Sequence, residues 1–296
     1  MPNHFFGWRP SLPDRRDRKF SVPPSVLASL PPAVDLTAGM SPVLDQGGLG
    51  SCGPNSLSSL IQYDQKAQGL SVVAPSRLFL YYNTRSLMNT VDSDSGVDNR
   101  SMLKALARWG FCDEGLWPYS DGPTKFKQKP PQPAYDAGLP NKVTDYSAVD
   151  QTAVTMKGCL AAGRPFLFGF TVYESFESAA VEATGVVPMP GRREAVLGGH
   201  DVCIVGYDDS KGRWKFKNSW GVGWGVDGYG WFPTEYVLSP DLSSDFWSVT
   251  TIPGGVVPVP PPTPTPTPPA GPTTISFPDG TTATIPAGAW KATASP

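Results

Sequence analysis

Apolar residues recur at helical spacing through much of the first half of the chain. Leu57, Leu60 and Ile61 lie three or four residues apart, as neighbours on one helix face do, and they predict a helix. A second set with the same spacing ends before Gly110, a residue type common just past helix ends. Its members are Met102, Leu103, Ala105, Leu106 and Trp109. We therefore expect residues 52–148 to form a mainly helical lobe.

Between residues 149 and 252 the pattern changes to short apolar or alternating runs bounded by turn-forming residues, which is typical of strands. The runs lie at 165–172, 202–207, 213–218, 229–232 and 246–250. A short turn at 208–212 separates the second and third runs, which predicts that they pair as an antiparallel hairpin. We expect an antiparallel, β-barrel-like lobe here. The predicted fold class is α+β, with two lobes and a cleft between them.

Both ends of the chain differ in composition from this central domain, which we place at residues 31–252. Residues 1–30 are rich in proline and charge, and predict an extended strap without secondary structure. Residues 253–272 hold ten prolines and no charge, which predicts a polyproline II linker. Residues 273–296 contain an eight-residue repeat with Asp279-Gly280 at a potential hairpin turn. A tail of this size cannot bury a core, so it is either disordered or docks on a partner or surface, and we favour docking.

Composition argues against several classes of partner. The 296 residues carry a formal net charge of only −2, which argues against nucleic acid or an anionic membrane as the main partner. No apolar run approaches the roughly 20 residues needed to span a bilayer. The N-terminus lacks the apolar core of a secretory signal. We expect a monomer that is cytoplasmic or exported by a non-classical route.

A cysteine at the start of the first predicted helix is the leading candidate for chemistry. Cys52 follows Gln46 and a glycine-rich turn. The unpaired N–H groups and the positive dipole end of a helix N-terminus lower the pKa of a thiol there and favour the nucleophilic thiolate. The alternative is a structural cysteine, because cysteine is among the most buried residue types and often behaves as a small hydrophobe.

A nucleophilic cysteine needs a base, and the chain contains two histidines. His4 lies in the polar, proline-rich N-terminal segment, where we expect it to be solvated. His200 follows Gly198 and Gly199 and opens an apolar run, which predicts a position at the mouth of a buried strand. The alternative for His200 is a hydrogen-bonded core histidine without a catalytic role.

A third motif changes the balance between these alternatives. The run 218–225 reads Asn-Ser-Trp-Gly-Val-Gly-Trp-Gly. Together with Gln46, the cysteine six residues after it and the Gly-His pair, this run resembles the papain-like cysteine peptidases. Cys52 and His200 are 148 residues apart, within the range typical of this catalytic arrangement. The resemblance extends over about residues 30–250.

The resemblance implies a role for each member of this set. Cys52 is the nucleophile, and His200 forms a thiolate–imidazolium pair with it and later protonates the leaving amine. The side-chain oxygen of Asn218 accepts a hydrogen bond from the imidazole and holds its tautomer. Gln46 and the backbone N–H of Cys52 form the oxyanion hole, and Trp220 shields the Asn–His hydrogen bond from water. A protein or peptide substrate is then hydrolysed through an acyl-enzyme thioester, with neither a metal nor an organic cofactor.

Substrate contacts are expected along the cleft. The loop at Gly96 and Val97 resembles in position a glycine-bearing loop whose backbone pairs with an extended substrate, although glycine in an acidic loop is also typical of a simple turn. The floor of the specificity pocket is expected within residues 229–245, with Tyr236, Asp245 or another residue of this stretch as the alternatives. The expected substrate-binding residues are Gly50, Gly96, Val97, Gly199 and Trp220.

The chain departs from the commonest signature of the family at two positions. Leu49 stands where a cysteine is usual, so the usual disulfide cannot form, and Gly53 stands where an aromatic residue normally packs under the helix. Neither change removes a catalytic group. Cys159 and Cys203 fall in apolar segments, where we expect free core thiols, with a bridge between these two as the alternative.

The strap and the function each leave alternatives open. The strap is too short for the helical propeptide of typical family members, and it resembles the short presequence of bacterial members. It either lies across the cleft as an inhibitor, anchored by Phe5, Phe6 and Trp8, or packs on the far surface.

The function expected from the resemblance is that of a cysteine endopeptidase. A catalytically silent peptide-binding module, and an amidase or transpeptidase with the same triad, are the alternatives.

Overall fold

The computed structural model describes residues 4–143 and 145–250, and the backbone of residues 273–276 and 282–285. In these ranges the α-helices are α1 (Pro24–Leu27), α2 (Cys52–Ala67), α3 (Arg77–Leu87), α4 (Asn99–Trp109), α5 (Gln132–Gly138), α6 (Ala153–Ala161), α7 (Ala179–Thr184) and α8 (Thr234–Leu238). The strands are β1 (Ala33–Asp35), β2 (Asp145–Ala148), β3 (Phe166–Tyr173), β4 (Val196–Asp208), β5 (Arg213–Lys217), β6 (Tyr229–Pro233), β7 (Ser243–Thr250), β8 (Thr273–Ser276) and β9 (Thr282–Ile285). Within this part of the chain, no helix is long and apolar enough to cross a membrane.

Local sequence determines where the main helices start and stop. Pro54 lies in the first turn of α2, where the N–H that proline lacks would have no intrahelical partner. The Ser76 side chain caps α3 and the Asp98 side chain caps α4, each by accepting a backbone N–H of the first turn. Helix α4 ends before Gly110, whose φ of 68° favours glycine. Helices therefore form at both places where apolar spacing predicts them.

Seven strands form one antiparallel sheet in the order β2-β7-β3-β4-β5-β6, and β1 pairs with β4 outside this path. Strands β2 and β6 end the order and do not pair with each other, so the sheet is open. This corrects the expectation of a barrel-like lobe. An alternating pattern predicts strands, but closure depends on the tilt and stagger of the whole sheet, which no single run encodes.

The sheet separates two hydrophobic cores, because successive residues of a strand project to opposite faces. On one face, Leu167 and Cys203 pack with apolar residues of α2, α3 and α4. On the other face, an aromatic core includes Phe168. The alternation matters most in β4, where His200 and its neighbour Asp201 project to opposite faces.

Two segments of the N-terminal strap form backbone hydrogen bonds with the rest of the fold. Residues 4–11, here called the cleft segment, lie between the loop before α4 and strand β4. Residues 18–22, here called the edge segment, run along β2, where the Phe20 N–H donates to the Ala148 carbonyl. Helix α1 corrects the expectation that the strap lacks secondary structure. Pro24 opens this short helix, a position where its fixed φ is favourable.

All four cysteines are buried and free. The alternative of a bridge between Cys159 and Cys203 is therefore wrong, and the expectation of free core thiols is correct. Cys52 begins α2, Cys159 lies in α6 and Cys203 lies in β4, whereas Cys112 lies in the loop after α4. Cys112, Cys159 and Cys203 each pack in one of the hydrophobic clusters.

The C-terminal unit begins at Pro258 and is described by two strands. Strands β8 and β9 pair antiparallel, with Thr273 opposite Ile285. The predicted linker at 253–272 and the Asp279-Gly280 turn lie outside the described residues. Their assignments, and the domain boundaries, stay predictions.

Candidate active site

Cys52 is the first residue of α2, so its sulfur lies at the N-terminal end of a helix. The Ser51 side chain makes no capping hydrogen bond there. The Cys52 side chain is completely buried. Burial raises the pKa of the thiol to about 12, the Asp201 carboxyl adds to the rise, and backbone hydrogen bonds from Asp201, Gly7 and Gly53 oppose it. With the cleft segment in place, Cys52 is therefore a neutral thiol.

His200 is joined to Asn218 by a 2.9 Å hydrogen bond between the ring nitrogen Nε2 and the amide oxygen Oδ1. The same oxygen accepts the Ser219 N–H at 2.9 Å. Because Oδ1 can only accept, Nε2 carries the ring proton and Nδ1 does not. The Nδ1 atom is buried and has no hydrogen-bond partner among the described residues. Burial lowers the pKa of His200 to about 4, so its ring is neutral.

Aromatic rings cover the hydrogen bond between His200 and Asn218. The Trp220 indole stacks on the His200 ring, with 4.7 Å between ring centroids and 27° between ring planes. The Phe170 ring meets the imidazole edge-on, with a centroid distance of 5.5 Å. Together they help to leave the His200 side chain with no exposed surface. Water therefore has no access to the hydrogen bond in this structure.

Gln46 is completely buried, and both ends of its amide are hydrogen-bonded. Its Oε1 atom accepts the Ser219 hydroxyl at 2.7 Å. Its Nε2 atom donates to the carbonyl of Leu49 at 3.0 Å and to the carbonyl of Phe5 at 2.9 Å. Because the carbonyls of Leu49 and Phe5 can only accept, they fix which way the amide faces and hold the Nε2 donor towards the cleft. The carbonyl oxygen that it binds in this structure belongs to the cleft segment.

The helix side and the sheet side of the site are tied together next to the histidine. On α2, the Ser56 hydroxyl donates to the carbonyl of Asp201 at 3.0 Å. The structure contains no hydrogen bond between the Cys52 sulfur and the His200 ring. His200 and Asn218 are thus in direct contact, whereas Cys52 reaches this strand through the backbone of Asp201.

Backbone hydrogen bonds hold the cleft segment against two of the expected substrate-binding residues. The Val97 N–H donates to the Gly7 carbonyl at 2.7 Å, and the Val97 carbonyl accepts the Arg9 N–H at 3.0 Å. On the opposite wall, the Gly199 carbonyl accepts the Trp8 N–H at 2.9 Å. An extended peptide is thus bound by backbone groups of both walls of the cleft.

Glycines at positions 96 and 7 allow the cleft segment to approach the walls of the cleft closely, and Gly50 lies against Gly7. Gly96 has a φ of 67°, and a Cβ atom there would lie 2.1 Å from the Gly7 carbonyl oxygen. Its N–H donates to the Tyr81 hydroxyl, so the pairing expected of this loop comes from Val97. A Cβ atom on Gly7 would lie 1.8 Å from the Gly50 carbonyl oxygen. Gly96 and Gly7 therefore permit a backbone approach that any side chain would block, whereas a Cβ atom on Gly50 would lie 3.3 Å from the Gly7 Cα atom.

The expectation that His4 is solvated is wrong. Its ring stacks on the Trp220 indole, with 3.8 Å between centroids and 8° between planes. Its Nδ1 atom lies 2.9 Å from a carboxylate oxygen of Glu177. Glu177 is 173 residues away along the chain, so no local pattern could predict this contact.

Two carboxyl groups lie at the pocket that the Trp8 side chain fills. The sequence pattern leaves Asp245 and Tyr236 as alternatives for the floor. The Trp8 indole N–H donates to Asp245 at 3.4 Å, whereas the Tyr236 hydroxyl donates to the Thr171 carbonyl and its ring packs in the aromatic core. Asp245 therefore forms the floor. Asp201 is not among the expected site residues, although an aspartate inside an apolar strand is a detectable signal, because buried charges need partners.

The buried carboxyl of Asp201 leads to a prediction about stability. Burial, and after it the charge of Asp245, raises the pKa of Asp201 to about 8, whereas an unfolded chain has a value near 4. Between these values the folded chain holds a proton that the unfolded chain has lost, so rising pH costs up to about 1.4 kcal/mol of stability per pH unit. We expect Asp201→Asn to gain stability relative to the wild-type chain from about pH 5 to about pH 8, as measured by urea unfolding.

The exposed Asp241 provides the matched control for this measurement. The free energy of unfolding of Asp241→Asn should differ from that of the wild-type chain by the same amount at every pH in this range. If the free energies of unfolding of the wild-type chain and Asp201→Asn change with pH in parallel, Asp201 does not hold a proton in the folded state.

The site lies inside a range that matches known proteins. Residues 30–237 match the family model described as Papain family cysteine protease. Xylellain, a cysteine protease from Xylella fastidiosa, has a solved structure that is 39% identical, with a TM-score of 0.80, covering 83% of this chain and 96% of that chain. An uncharacterized peptidase C1-like protein of Acanthamoeba polyphaga mimivirus is 36% identical over 278 residues, 85% of this chain and 88% of that protein. Cathepsin B-like CP3 of Giardia intestinalis is 33% identical over 199 residues, 63% of this chain and 62% of that protein.

Proposed function

The chain belongs to the papain family of cysteine proteases, which hydrolyse peptide bonds, and from this premise we propose that it is an endopeptidase inhibited by its own cleft segment. One observation carries the proposal. The side chain of Gln46 donates a 2.9 Å hydrogen bond to the Phe5 carbonyl oxygen, in the cleft where Cys52 is buried. A peptide carbonyl of the chain itself thus occupies the donor that a substrate carbonyl would need.

In the proposed mechanism, Cys52 and His200 exchange a proton once the cleft segment has left. Water and substrate then replace the apolar cover, so the pKa of the thiol falls and the pKa of the imidazole rises. The unprotonated Nδ1 of His200 takes the proton from the sulfur, and the N-terminus of α2 stabilises the thiolate. The Asn218 oxygen keeps the other ring nitrogen protonated, so that Nδ1 is the nitrogen that reacts.

The thiolate attacks the scissile carbonyl carbon, and an electron pair of the C=O bond moves to the oxygen. The Gln46 side chain and the backbone N–H of Cys52 stabilise this oxyanion. The His200 imidazolium protonates the leaving amine, and the C–N bond breaks to leave a thioester on Cys52. Water, deprotonated by His200, hydrolyses the thioester and releases the acid. These steps require no metal or organic cofactor.

Inhibition by the cleft segment follows from the positions that it occupies. Its backbone uses the hydrogen-bonding groups of Val97 and Gly199 that an extended substrate would use. It also helps to bury Cys52 completely, which keeps the thiol neutral. A substrate can therefore bind only after residues 4–11 have moved out.

Polar contacts hold the strap where it leaves the cleft. The Ser11 hydroxyl donates to the Asp98 carboxylate at 3.0 Å. Arg100 forms an ion pair with Asp17, and the two side chains are only 11% and 14% exposed. The surface alternative fits the edge segment instead, since residues 18–22 lie along β2. The two interpretations of the strap thus apply to different parts of it.

The proposal is tested by hydrolysis of dipeptidyl fluorogenic amides by the full-length chain and by a form that lacks residues 1–12. Turnover should be low in the full-length chain, higher in the shortened form and absent with Cys52→Ala. Deleting residues 1–28 is a poorer test, because it also removes the edge segment and α1. If neither form turns over a substrate, although both are folded and Cys52 alkylates like an ordinary thiol, the silent peptide-binding module is favoured. Formation of a new amide with an added amine would instead identify a transpeptidase.

Gln46→Ala should lower the kcat of the shortened form by about 10²- to 10³-fold with little change in KM, because the lost donor acts on the oxyanion of the transition state. Steady-state kinetics with the best amide of the panel provide the measurement. Gln62→Ala is the matched control, since Gln62 lies on α2 and its amide donates to Ser58 one turn earlier. Equal losses in both variants, or a change confined to KM, would contradict the role of Gln46.

A further inference from the structure

The pocket that holds the Trp8 side chain is formed on one face of the sheet. A Cβ atom on Gly169 would lie 2.0 Å from the Trp8 ring and one on Gly199 would lie 2.8 Å from it, so the ring rests directly on both glycines. Gly169 is opposite Asp201 in the pairing of β3 with β4, and opposite residues of antiparallel strands project to the same face. Gly199 and Asp201 also share a face, because they are two residues apart in β4. The Asp201 side chain therefore projects to the side where the Trp8 ring lies.

Asp201 and Asp245 meet at this pocket through a shared neighbour. The Asn99 amide donates to Oδ2 of Asp201 and, at 2.9 Å, to the backbone carbonyl of Asp245. Asp201 is completely buried, and its Oδ1 atom has no hydrogen-bond partner among the described residues. A buried carboxyl oxygen without a partner is costly, so each such atom needs an explanation, and an absent ligand is one.

Asp245 loses two hydrogen-bond donors when the cleft segment leaves. Its Oδ2 atom accepts the Trp8 indole N–H, the Ser11 N–H at 3.3 Å and the Asn99 N–H at 3.0 Å. Its Oδ1 atom accepts the indole N–H of Trp247. The Trp8 and Ser11 donors belong to the cleft segment. A substrate side chain in the same pocket has to supply donors in their place.

The guanidinium of Arg100 lies near Asp245 but does not neutralise Asp245 and Asp201. The charge of Asp245 acts on Arg100, but that guanidinium is paired with Asp17 and lies 5.6 Å from the centre of the Trp247 ring. Burial still raises the pKa of Asp201 to about 8 and also raises the pKa of Asp245. In the described part of the chain no group of three or more acidic, histidine or cysteine side chains could hold a metal ion. We therefore expect the ligand of these two carboxyl groups to be an organic cation rather than a metal ion.

We propose that the pocket filled by Trp8 selects an arginine or lysine side chain of the substrate, with the carboxyl groups of Asp245 and Asp201 as its partners. A cation in the pocket favours the ionised form of a carboxyl group, so Asp201 gives up its proton when the substrate side chain binds. This inference rests on the proposed function, since it names the substrate class of the same cleft. The Gly7 backbone hydrogen-bonds to the Cys52 thiol, and Trp8 is the next residue. The pocket therefore receives the side chain one residue away from the one that faces the thiol. A guanidinium presents a planar fork of donors to two carboxylates, so arginine is preferred over lysine.

The first test compares dipeptidyl amides that differ only in the residue one position from the scissile residue. Arginine, lysine, leucine and citrulline are compared, because citrulline keeps the shape of arginine without its charge. In the full-length chain opened by Gly7→Ala, kcat/KM for arginine should exceed that for citrulline at least about tenfold. Asp245→Asn should bring this ratio close to one, because the amide has no charge with which to discriminate arginine from citrulline. A ratio near one with Asp245 intact would overturn the proposal.

A stability measurement decides the question even if no amide is turned over. In the full-length chain, Trp8→Arg brings a guanidinium into the pocket, and Trp8→Leu is the neutral control. We expect the Trp8→Arg chain to melt about 2 °C or more above the Trp8→Leu chain. The advantage should vanish when Asp201→Asn and Asp245→Asn are added. Equal melting temperatures would overturn the proposal, whereas an arginine advantage without turnover would contradict only the proposed enzymatic activity.

Discussion

Alanine in place of Gly7 should activate the full-length chain, raising its peptidase activity about 10- to 100-fold. The added Cβ atom would lie 1.8 Å from the carbonyl oxygen of Gly50 and 2.6 Å from its Cα atom. These are backbone atoms, which cannot move aside as the end of a flexible side chain can. The clash destabilises the closed position of the cleft segment. The added methyl group belongs to that segment, so the walls of the cleft that bind the substrate are unchanged. Overpacking of this kind costs about 1–3 kcal/mol, which favours the open cleft by about 5- to 150-fold.

Alkylation of Cys52 by iodoacetamide reports the same opening without any substrate. Burial keeps the thiol neutral and covered in the closed chain, so the Gly7→Ala chain should react faster by a similar factor. Gly223→Ala is the matched control, because a Cβ atom there meets no other atom within 4 Å. It should change neither alkylation nor turnover. Fast alkylation without a gain in turnover would contradict the proposed activity, and unchanged alkylation would contradict closure by the cleft segment.

Short motifs predicted those parts of the site that depend on neighbouring segments. Apolar spacing placed Cys52 at the start of a helix, and α2 begins there. The hydrogen bond that the family resemblance implies between His200 and Asn218 is present, because β4 and β5 pair and bring together residues 18 positions apart. The catalytic roles of these residues stay predictions, since the structure contains the closed form, in which Cys52 and His200 are both neutral.

Long-range contacts account for what the sequence pattern could not predict. The cleft segment has no apolar period, and its position depends on backbone groups of Val97 and Gly199, far along the chain. Closure of the sheet depends in the same way on whether β2 and β6 meet, which they do not. Asp201 is an intermediate case. Its burial could be inferred from the apolar run around it, but its meeting with Asp245 depends on how β3 pairs with both β4 and β7.

Cys52→Ala should reduce turnover at least about 10⁴-fold when it is introduced into the Gly7→Ala chain. The methyl group of alanine cannot form the thioester, so direct attack by water is the only route left. Gln46 and His200 can still bind and polarise a substrate amide, which accounts for any residual rate. The measurement is hydrolysis of the best dipeptidyl amide by the Gly7→Ala chain with and without Cys52→Ala.

Cys112→Ala is the matched control for this loss, because Cys112 is also free and buried but packs with Phe79 and Ala134 in a small separate cluster. The activity of the Gly7→Ala chain should survive this change. Mass spectrometry during turnover of a slowly hydrolysed ester should detect an acyl group on the chain that has Cys52 and none on the Cys52→Ala chain. Turnover that persists without Cys52 would contradict its role as nucleophile. Equal losses in both cysteine variants would instead indicate that the fold, rather than the chemistry, had been damaged.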